Sequence, residues 1–250
     1  MQKAMQNNYV LLNNVEHADL KVLEHYSPDS GDGAAAVITF PTEFENIQRE
    51  YPILLRKTPD DGDYQAVAIL GLQKGENLFL GGTAAESNGW TGHYVPAMIA
   101  RGPFIIGFQE AAEDSGEPPQ PMIYVDLSSN KLSRSEGTPL FLEFGGNSPY
   151  LEYISGVLRT IHQGGGVGRT MFSALDELGL IEPVSINIDL KNGDKHQLSG
   201  YYTVSEERLN ALDGEALHAL NQAGYLRGVF LMLSSLGNIE KLVALKNARL

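Results

Sequence analysis

The chain has 250 residues, 42% of them hydrophobic, with no cysteine and a formal net charge of -13. This length and hydrophobic content suffice for a sizeable core, while the acidic balance repels nucleic acid and anionic membranes. The lack of cysteine excludes disulfides, thiolate zinc sites and a cysteine nucleophile. Neither a signal-peptide h-region nor a continuous apolar run of about 18 residues is present. We therefore expect a cytoplasmic protein with no membrane span and no nucleic-acid partner; the alternative is the cell surface, through an unrecognised export signal.

The opening third of the chain is predicted to be rich in β-structure. Short apolar or β-branched runs between Asn, Asp and Gly predict antiparallel strands at Tyr9 to Leu12, Leu20 to Leu23 and Ala35 to Phe40. A short helix is predicted from Glu43 to Arg49, and Tyr51 precedes a proline and so favours extended backbone. The acidic stretch Thr58 to Asp63 is predicted as a turn between strands. A calcium loop is its alternative, although the ligand spacing of an EF-hand is missing.

Helices are predicted to replace strands after Asn147. The loop Glu110 to Pro121 is interpreted as an exposed hairpin insertion, because strand patterns (Phe104 to Phe108, Met122 to Leu127) flank it; a domain joint is the alternative. Ser148 is placed to cap a helix with Pro149 at its first position. Apolar side chains then repeat at three- and four-residue steps through Leu151, Ile154, Leu158 and Ile161, and again through Val167, Met171, Phe172, Leu175 and Leu178. Gly179 is expected to end the second helix.

A glycine-rich stretch, Gly164 to Gly168, lies between these two apolar stripes. It matches neither a Walker loop nor a Rossmann fingerprint, because its glycines are spaced evenly and Arg169 stands where a lysine is needed. We interpret it as a connector between two helices. The amides that begin the second helix form a weak candidate anion site, made of Gly166, Gly168, Arg169 and Thr170.

The last third of the chain is more regular. Asn192-Gly193 between alternating runs predicts a β-hairpin. Thr203 with Glu206 predicts a capping box, Asp213 a second helix cap, and Gly224 a helix stop. The apolar run Tyr225 to Leu233 has no clear period, and as an edge it would support a homodimer. A terminal helix is predicted from Asn238 to Ala248.

The block Asn77 to Phe104 holds the only tryptophan and is the main candidate binding region. Large aromatic side chains and a planar guanidinium suit contact with a peptide or protein partner. The candidate ligand or partner residues are Trp90, Tyr94, Arg101, Phe104, Tyr51 and Asn77. The alternative is that these side chains pack the core and tie loops down. Catalytic residues are not assigned, since no serine-hydrolase elbow occurs and so many acids make any carboxylate pair uninformative.

A metal-dependent enzyme is the alternative function. His17 and Asp19 have the spacing of two ligands of a facial iron triad, which a distal His162, His196 or His218 would complete. The predicted helical C-terminal half does not suit the double-stranded β-helix of such oxygenases, so neither a metal nor any other cofactor is favoured.

The chain resembles the bacterial SapC family along nearly its whole length. The matching segments, in order, are His17 to Leu20, Glu43 to Ile53, Leu70 to Leu72, Glu76 to Phe79, Gly89-Trp90, Tyr94 to Pro96, Arg101 to Phe104, Asp126, Leu140-Phe141, Gly179 to Pro183, Gly200 with Val204, Leu209 with Leu212, and Gly228 through Ser234 to Leu242. Each segment is short, but their order and spacing together are specific. The glycine-rich stretch is not part of the resemblance.

The resemblance implies a context without a reaction. The family name comes from a surface-layer protein, and relatives lie near genes for flavin-dependent halogenases, cupin-like proteins and outer-membrane receptors. We therefore expect a non-enzymatic binding or accessory protein for peptides or protein partners. The expected fold is a single α+β domain over residues 1–250, with mainly antiparallel strands first, helices plus one hairpin later, and a possible sub-domain change near residue 145.

Overall fold

A computed structural model describes residues 8–59, 61–81, 88–109 and 120–250. The strands are β1 (Tyr9–Leu11), β2 (Lys21–Val22), β3 (Ala36–Ile38), β4 (Ile53–Lys57), β5 (Tyr64–Ile69), β6 (Phe104–Gln109), β7 (Gln120–Asp126), β8 (Leu132–Ser133), β9 (Thr138–Pro139), β10 (Ile181–Asp189) and β11 (Lys195–Val204). The helices are α1 (Phe44–Ile47), α2 (Ala97–Ala100), α3 (Pro149–Glu177), α4 (Glu206–Asn210), α5 (Gly214–Gln222), α6 (Tyr225–Ser235) and α7 (Asn238–Asn247), with a 3-10 turn at Pro28–Ser30. The predicted α+β fold class is confirmed.

The strands form three antiparallel sheets. The largest has five strands in the order β10-β11-β4-β5-β3, and the others are β1-β7-β6 and β8-β2-β9. The strands predicted on both sides of Glu110 to Pro121 do pair, as β6 with β7. The insertion itself lies outside the described residues, apart from its last two, which belong to β7.

Two neighbouring interior strands of the large sheet, β4 and β5, are buried on both faces along part of their length. All residues of the runs Ile53–Leu55 and Ala66–Ile69 are inaccessible to solvent, so their apolar runs lack the alternation of a half-exposed strand. Helix α3 packs against β5, and α6 packs against β4 and β11. At about 1.5–3 kcal/mol for each buried aliphatic side chain, burial of this layer contributes strongly to stability.

Helix α3 joins two hydrophobic clusters. Its first half contributes Ile154 and Leu158 to the cluster around Phe104 and Val125, which belongs to the β1-β7-β6 sheet. Its second half contributes Met171, Phe172 and Leu175 to the cluster of the large sheet. One rigid helix therefore holds both clusters in register. The prediction of a single domain with a possible change near residue 145 stays a prediction.

Several predicted helix and turn signals are confirmed. The Ser148 hydroxyl accepts a hydrogen bond from the Leu151 amide at 3.2 Å, and Pro149 begins α3. The Asp213 carboxylate accepts from the Ala216 amide at 2.8 Å at the start of α5. The Asn192-Gly193 turn joins β10 and β11, with a φ of 90° at Gly193. Each signal works through contacts within a few residues.

Three predictions about the second half are wrong. The glycine-rich stretch is no connector, because α3 runs unbroken through it. The run Tyr225 to Leu233 is helical, as part of α6, so it supplies no strand edge for a dimer. The Thr203 capping box does not form: Ser205 precedes α4, and the buried Thr203 hydroxyl has no hydrogen-bond partner among the described residues. A homodimer stays a prediction, without the edge that suggested it.

By length and composition alone, the helical segment Tyr225–Asn247 would suffice to cross a membrane. The chain divides this segment into α6 and α7 at Gly237, and it buries Val229, Met232 and Leu242 completely in the core of the large sheet. The absence of a membrane span stays a prediction.

Candidate functional site

The block Asn77 to Phe104, called the signature block below, lies mostly in the core in its described parts, residues 77–81 and 88–104. Trp90 is 4% exposed and Tyr51 is fully buried. The Phe79 ring stacks on Trp90 at 6.0 Å between centroids and meets Tyr51 edge-on at 4.5 Å. Such aromatic contacts stabilise by about 0.5–1.5 kcal/mol each beyond the area they bury. Phe104 is also fully buried, in the other hydrophobic cluster.

A chain of hydrogen bonds links these aromatic residues. The Trp90 indole donates to the Tyr51 hydroxyl at 3.1 Å, and that hydroxyl donates to the Tyr94 carbonyl. Burial is the main cause that raises the pKa of Tyr51, so its hydroxyl keeps its proton as a donor. This pattern fixes the loop of Trp90 and Tyr94 against the segment between α1 and β4.

Arg101 and Asn77 also make contacts that hold backbone segments together. The Arg101 guanidinium donates to the Phe104 carbonyl at 3.0 Å, and its buried Nε has no partner among the described residues. The Asn77 amide donates to the Asp32 carbonyl at 2.8 Å and accepts from the Phe79 amide at 2.9 Å. These positions favour packing and loop attachment. That the block also contacts a ligand or partner stays a prediction.

Glu43 is a buried carboxylate behind the signature block. It accepts hydrogen bonds from the Tyr94 hydroxyl (2.8 Å), the Ala97 amide (2.9 Å) and the Thr39 hydroxyl (2.8 Å). Burial raises its pKa, and the three donors act against that rise. The carboxylate thereby joins α1 to the first amide of α2 and to the tyrosine of the block.

We expect Glu43→Gln to lower the free energy of unfolding by about 1–3 kcal/mol, since the amide nitrogen replaces an acceptor that faces buried donors. Urea denaturation measures the loss. The matched control is Glu45→Gln, two positions later in α1, where an exposed side chain forms an ion pair with Arg227; a change within about 0.5 kcal/mol is expected there. Equal effects of the two substitutions would show that the hydrogen bonds of Glu43 are energetically unimportant.

The raised pKa of Glu43 also predicts a pH dependence. As pH falls, the folded chain takes up this proton before the unfolded chain does, so Glu43 gains stability as pH falls from its raised pKa to the ordinary glutamate value, and the gain is complete below that value. Glu43→Gln lacks this gain. The stability difference between wild type and variant should therefore widen as pH falls through that window, and a constant difference would contradict the assignment.

Glu50 anchors the other side of the same loop. Each oxygen of its buried carboxylate accepts a hydrogen bond from the His93 amide, at 2.8 and 3.1 Å. The carboxylate also lies 3.3 Å from the Lys241 ammonium. Gly92 passes so close that a Cβ atom there would lie 2.5 Å from the Tyr51 hydroxyl oxygen. The loop therefore rests on the core without room for a side chain.

An open cleft of about 510 Å³ lies between α3 and the β4–β5 turn. Its lining residues come from three segments: Thr39 to Pro41; Thr58, Asp61 to Ala66; and Gly164, Gly165, Gly168, Arg169, Phe172, Ser173 and Asp176. The stretch from Thr58 to Asp63 does form a turn between strands, as predicted, with Asp60 outside the described residues. This turn and the glycine-rich stretch face each other across the cleft, although nothing in the sequence links the two segments.

The glycines of α3 set the shape of the cleft. Gly164 touches the β3–α1 segment so closely that a Cβ atom would lie 2.4 Å from Phe40 Cβ and from Thr42 Oγ1. At Gly165, which lines the cleft, a Cβ atom would meet no atom of the described residues within 4 Å. The helix thus approaches its neighbour at one glycine and leaves bare backbone at the next.

The predicted anion site loses its physical basis. Gly166, Gly168, Arg169 and Thr170 lie inside α3 and not at a helix start. Amides in a helix interior already donate to carbonyls one turn earlier, so they are not free for an anion. The Thr170 hydroxyl donates to the Val167 carbonyl at 3.1 Å.

The alternative metal site gains no support from the positions of its residues. His17 is buried, and its Nδ1 accepts from the Asn13 amide at 3.2 Å, whereas Asp19 lies on the surface with Arg134. The Arg134 hydrogen bond is the main cause that lowers the pKa of Asp19. Within residues 8–59, 61–81, 88–109 and 120–250, no group of three His, Asp or Glu side chains could hold a metal ion.

Comparisons with known proteins agree with the resemblance seen in the sequence. The model of the family described as SapC matches residues 12–242. No curated protein and no solved structure matches the chain. Because the family match runs through both hydrophobic clusters, the buried signature block and the α3 cleft, the chain belongs to the SapC family.

Proposed function

We propose that this protein is a non-enzymatic binding or accessory protein that holds a peptide, or an extended segment of a protein partner, in the α3 cleft. The observation that carries the proposal is the cleft itself: about 510 Å³, within the range of about 300–1,000 Å³ that is usual for binding pockets. Its walls are a long helix and a strand hairpin. A site on such rigid elements holds its shape before the ligand arrives.

The chemistry of the walls favours a polypeptide. Tyr64 and the partly exposed Phe40 offer apolar surface, while Gln65 and Ser173 offer amide and hydroxyl groups that pair with a peptide backbone. Gly165 adds a stretch of helix without a side chain, which lets a ligand backbone come close.

The lining favours binding over catalysis. Among the described residues that line the cleft there is no histidine or lysine to act as a base for Ser173, whose hydroxyl donates at 3.1 Å to the exposed Glu177 one turn later in α3. The charged groups there are Arg169 and the carboxylates of Asp61, Asp63 and Asp176. A ligand with a positively charged side chain suits this balance.

A surface-layer or receptor-linked setting is the finer part of the proposal. It is supported by family membership and by the expectation that relatives act in such systems. A cytoplasmic location, or the cell surface as its alternative, stays a prediction. In such a system, a segment of the partner's chain would bind in the cleft.

The cleft is tested by filling it. A displayed library of random peptides is selected on the wild-type protein, and the enriched peptides are titrated against Gly165→Phe. We expect the variant to bind at least about tenfold more weakly, because its ring occupies the space of the ligand while its Cβ meets no neighbour. Fluorescence anisotropy of labelled peptides gives the affinities.

Gly156→Phe is the matched control for this substitution. Gly156 lies in the same helix, also has no atom within 4 Å of a Cβ position, and does not line the cleft. We expect wild-type affinity in this variant. Failure to enrich any peptide, or equal affinity of Gly165→Phe and wild type, would overturn the proposal.

A further inference from the structure

A cluster of tyrosines lies apart from the α3 cleft. It consists of Tyr26, which follows β2, and of Tyr150 and Tyr153, in the first turns of α3; we call it the tyrosine cluster. The rings of Tyr150 and Tyr153 are 6.4 Å apart between centroids. None of the three lines the cleft.

The hydroxyl groups of this cluster are unused. In the part of the chain that the structure describes, none of the three hydroxyls has a hydrogen-bond partner. Burial raises the pKa of Tyr26, Tyr150 and Tyr153, and the neighbouring charge of Glu24 adds to each rise. The three hydroxyls therefore keep their protons at neutral pH and are able to donate.

The cluster is held in place from behind. The Tyr26 ring meets Trp90 edge-on at 5.7 Å, and the Lys131 ammonium lies 4.6 Å from its centroid. Tyr150 is half-buried, whereas Tyr153 is 52% exposed. Rigid, partly exposed tyrosines of this kind are well suited to interfaces, because they lose little side-chain entropy on binding.

One acidic group adds charge to the cluster. The first carboxylate oxygen of Glu24 accepts a hydrogen bond from the Thr138 hydroxyl, and its second has no hydrogen bond among the described residues. The nearby Lys131 is already paired with Asp32, at 2.9 Å. A ligand at this surface therefore meets aromatic faces, hydroxyl donors and one negative charge.

We propose that the tyrosine cluster binds a proline-rich segment in the polyproline II conformation, with a basic residue placed towards Glu24. Polyproline II leaves its carbonyls without internal partners, and proline has no amide to satisfy, so hydroxyl donors match it. Its rise of about 3.1 Å per residue places two residues across the 6.4 Å between the rings of Tyr150 and Tyr153. Aromatic surfaces are the usual docking sites for such segments.

The test uses a labelled oligoproline peptide that ends in arginine, and a second peptide that ends in norleucine. We expect the wild-type protein to bind the arginine peptide. Tyr153→Ala should weaken that binding at least about tenfold. Glu24→Gln should weaken only the arginine peptide, so that the two peptides then bind alike.

Phe230→Ala is the control, since Phe230 lies on α6 and is 54% exposed, close to the 52% of Tyr153. We expect it, like Gly165→Phe, to leave the affinity unchanged; a failure of the cleft proposal would therefore not affect this result. Absence of binding by either peptide would overturn the inference. An equal loss in Phe230→Ala, or saturable binding of a neutral oligosaccharide in place of the peptides, would overturn it as well.

Discussion

Replacing Lys131 with methionine is expected to destabilise the protein by about 3–5 kcal/mol, the largest effect that we predict. Lys131 and Asp32 form an ion pair at 2.9 Å, with both side chains less than a tenth exposed. Methionine fills a similar volume but leaves the Asp32 carboxylate buried without its cation. The midpoint of urea unfolding measures the change.

The contacts around this pair explain its structural role. Asp32 also accepts from the Ser27 amide at 3.0 Å, and its carbonyl accepts from Asn77 of the signature block. The pair thus fastens the segment after β2 to the block and supports Tyr26 of the tyrosine cluster. A double variant, Asp32→Asn with Lys131→Met, should recover much of the stability because no lone charge remains.

Arg134→Met is the control for this prediction. Arg134 and Asp19 form an ion pair that is more than half exposed on both sides, and exposed pairs contribute little. We expect a small change there. If Lys131→Met were as stable as Arg134→Met, the buried pair would not be a determinant of this fold.

Alanine at two adjacent glycines of α3 is expected to change stability in opposite directions. Gly165→Ala should raise the free energy of unfolding by about 0.5–1 kcal/mol, because alanine favours the helix and its Cβ meets nothing. Gly164→Ala should lower it by about 1–3 kcal/mol despite the same helix preference. There the methyl group would lie 2.4 Å from Phe40 Cβ, an atom fixed by the backbone.

Thermal and urea unfolding of the two variants test this contrast. Gly166→Ala serves as a second open position, and it should behave like Gly165→Ala. A loss at Gly164 alone would show that close helix approach explains the glycine there. Two changes of the same sign and size would contradict the packing that shapes the cleft.

Helix starts and turns were predicted correctly where neighbouring residues determine the structure. Ser148 and Pro149 began α3, and Asn192-Gly193 formed the hairpin turn. Gly179 follows α3 with a φ of 65°, a value that favours glycine. In each case the signal and the structure lie within one turn of the chain, so no distant contact is needed to interpret it.

The predictions were wrong where contacts between distant residues determine the local structure. Because glycine disfavours helix, the stretch Gly164 to Gly168 was predicted to be a connector between two helices. Packing of Gly164 against Phe40 and Thr42 overrides that preference. The largely apolar run Tyr225 to Leu233 had no clear period, because α6 packs on α1, β4 and β11. Thr203 lies in β11 opposite Glu182, which leaves it unable to cap α4.

The candidate site was the least predictable part for the same reason. The α3 cleft joins the turn near Asp61 to Ser173, more than a hundred positions later, and neither segment signals the other. Glu43 looked like one of many acids, and only its three buried donors single it out. In contrast, the signature block was found by its composition, and its tryptophan, Trp90, lies in the core against Tyr51.

The most direct test of the account is an amide chemical-shift map of the wild-type protein saturated with a library-selected peptide. If the α3 cleft is the binding site, the largest shifts will fall on Asp61 to Ala66 and on Gly164 to Asp176, which together line it. Shifts that cluster around Trp90 and Arg101 instead, with the α3 cleft unchanged, would contradict the account.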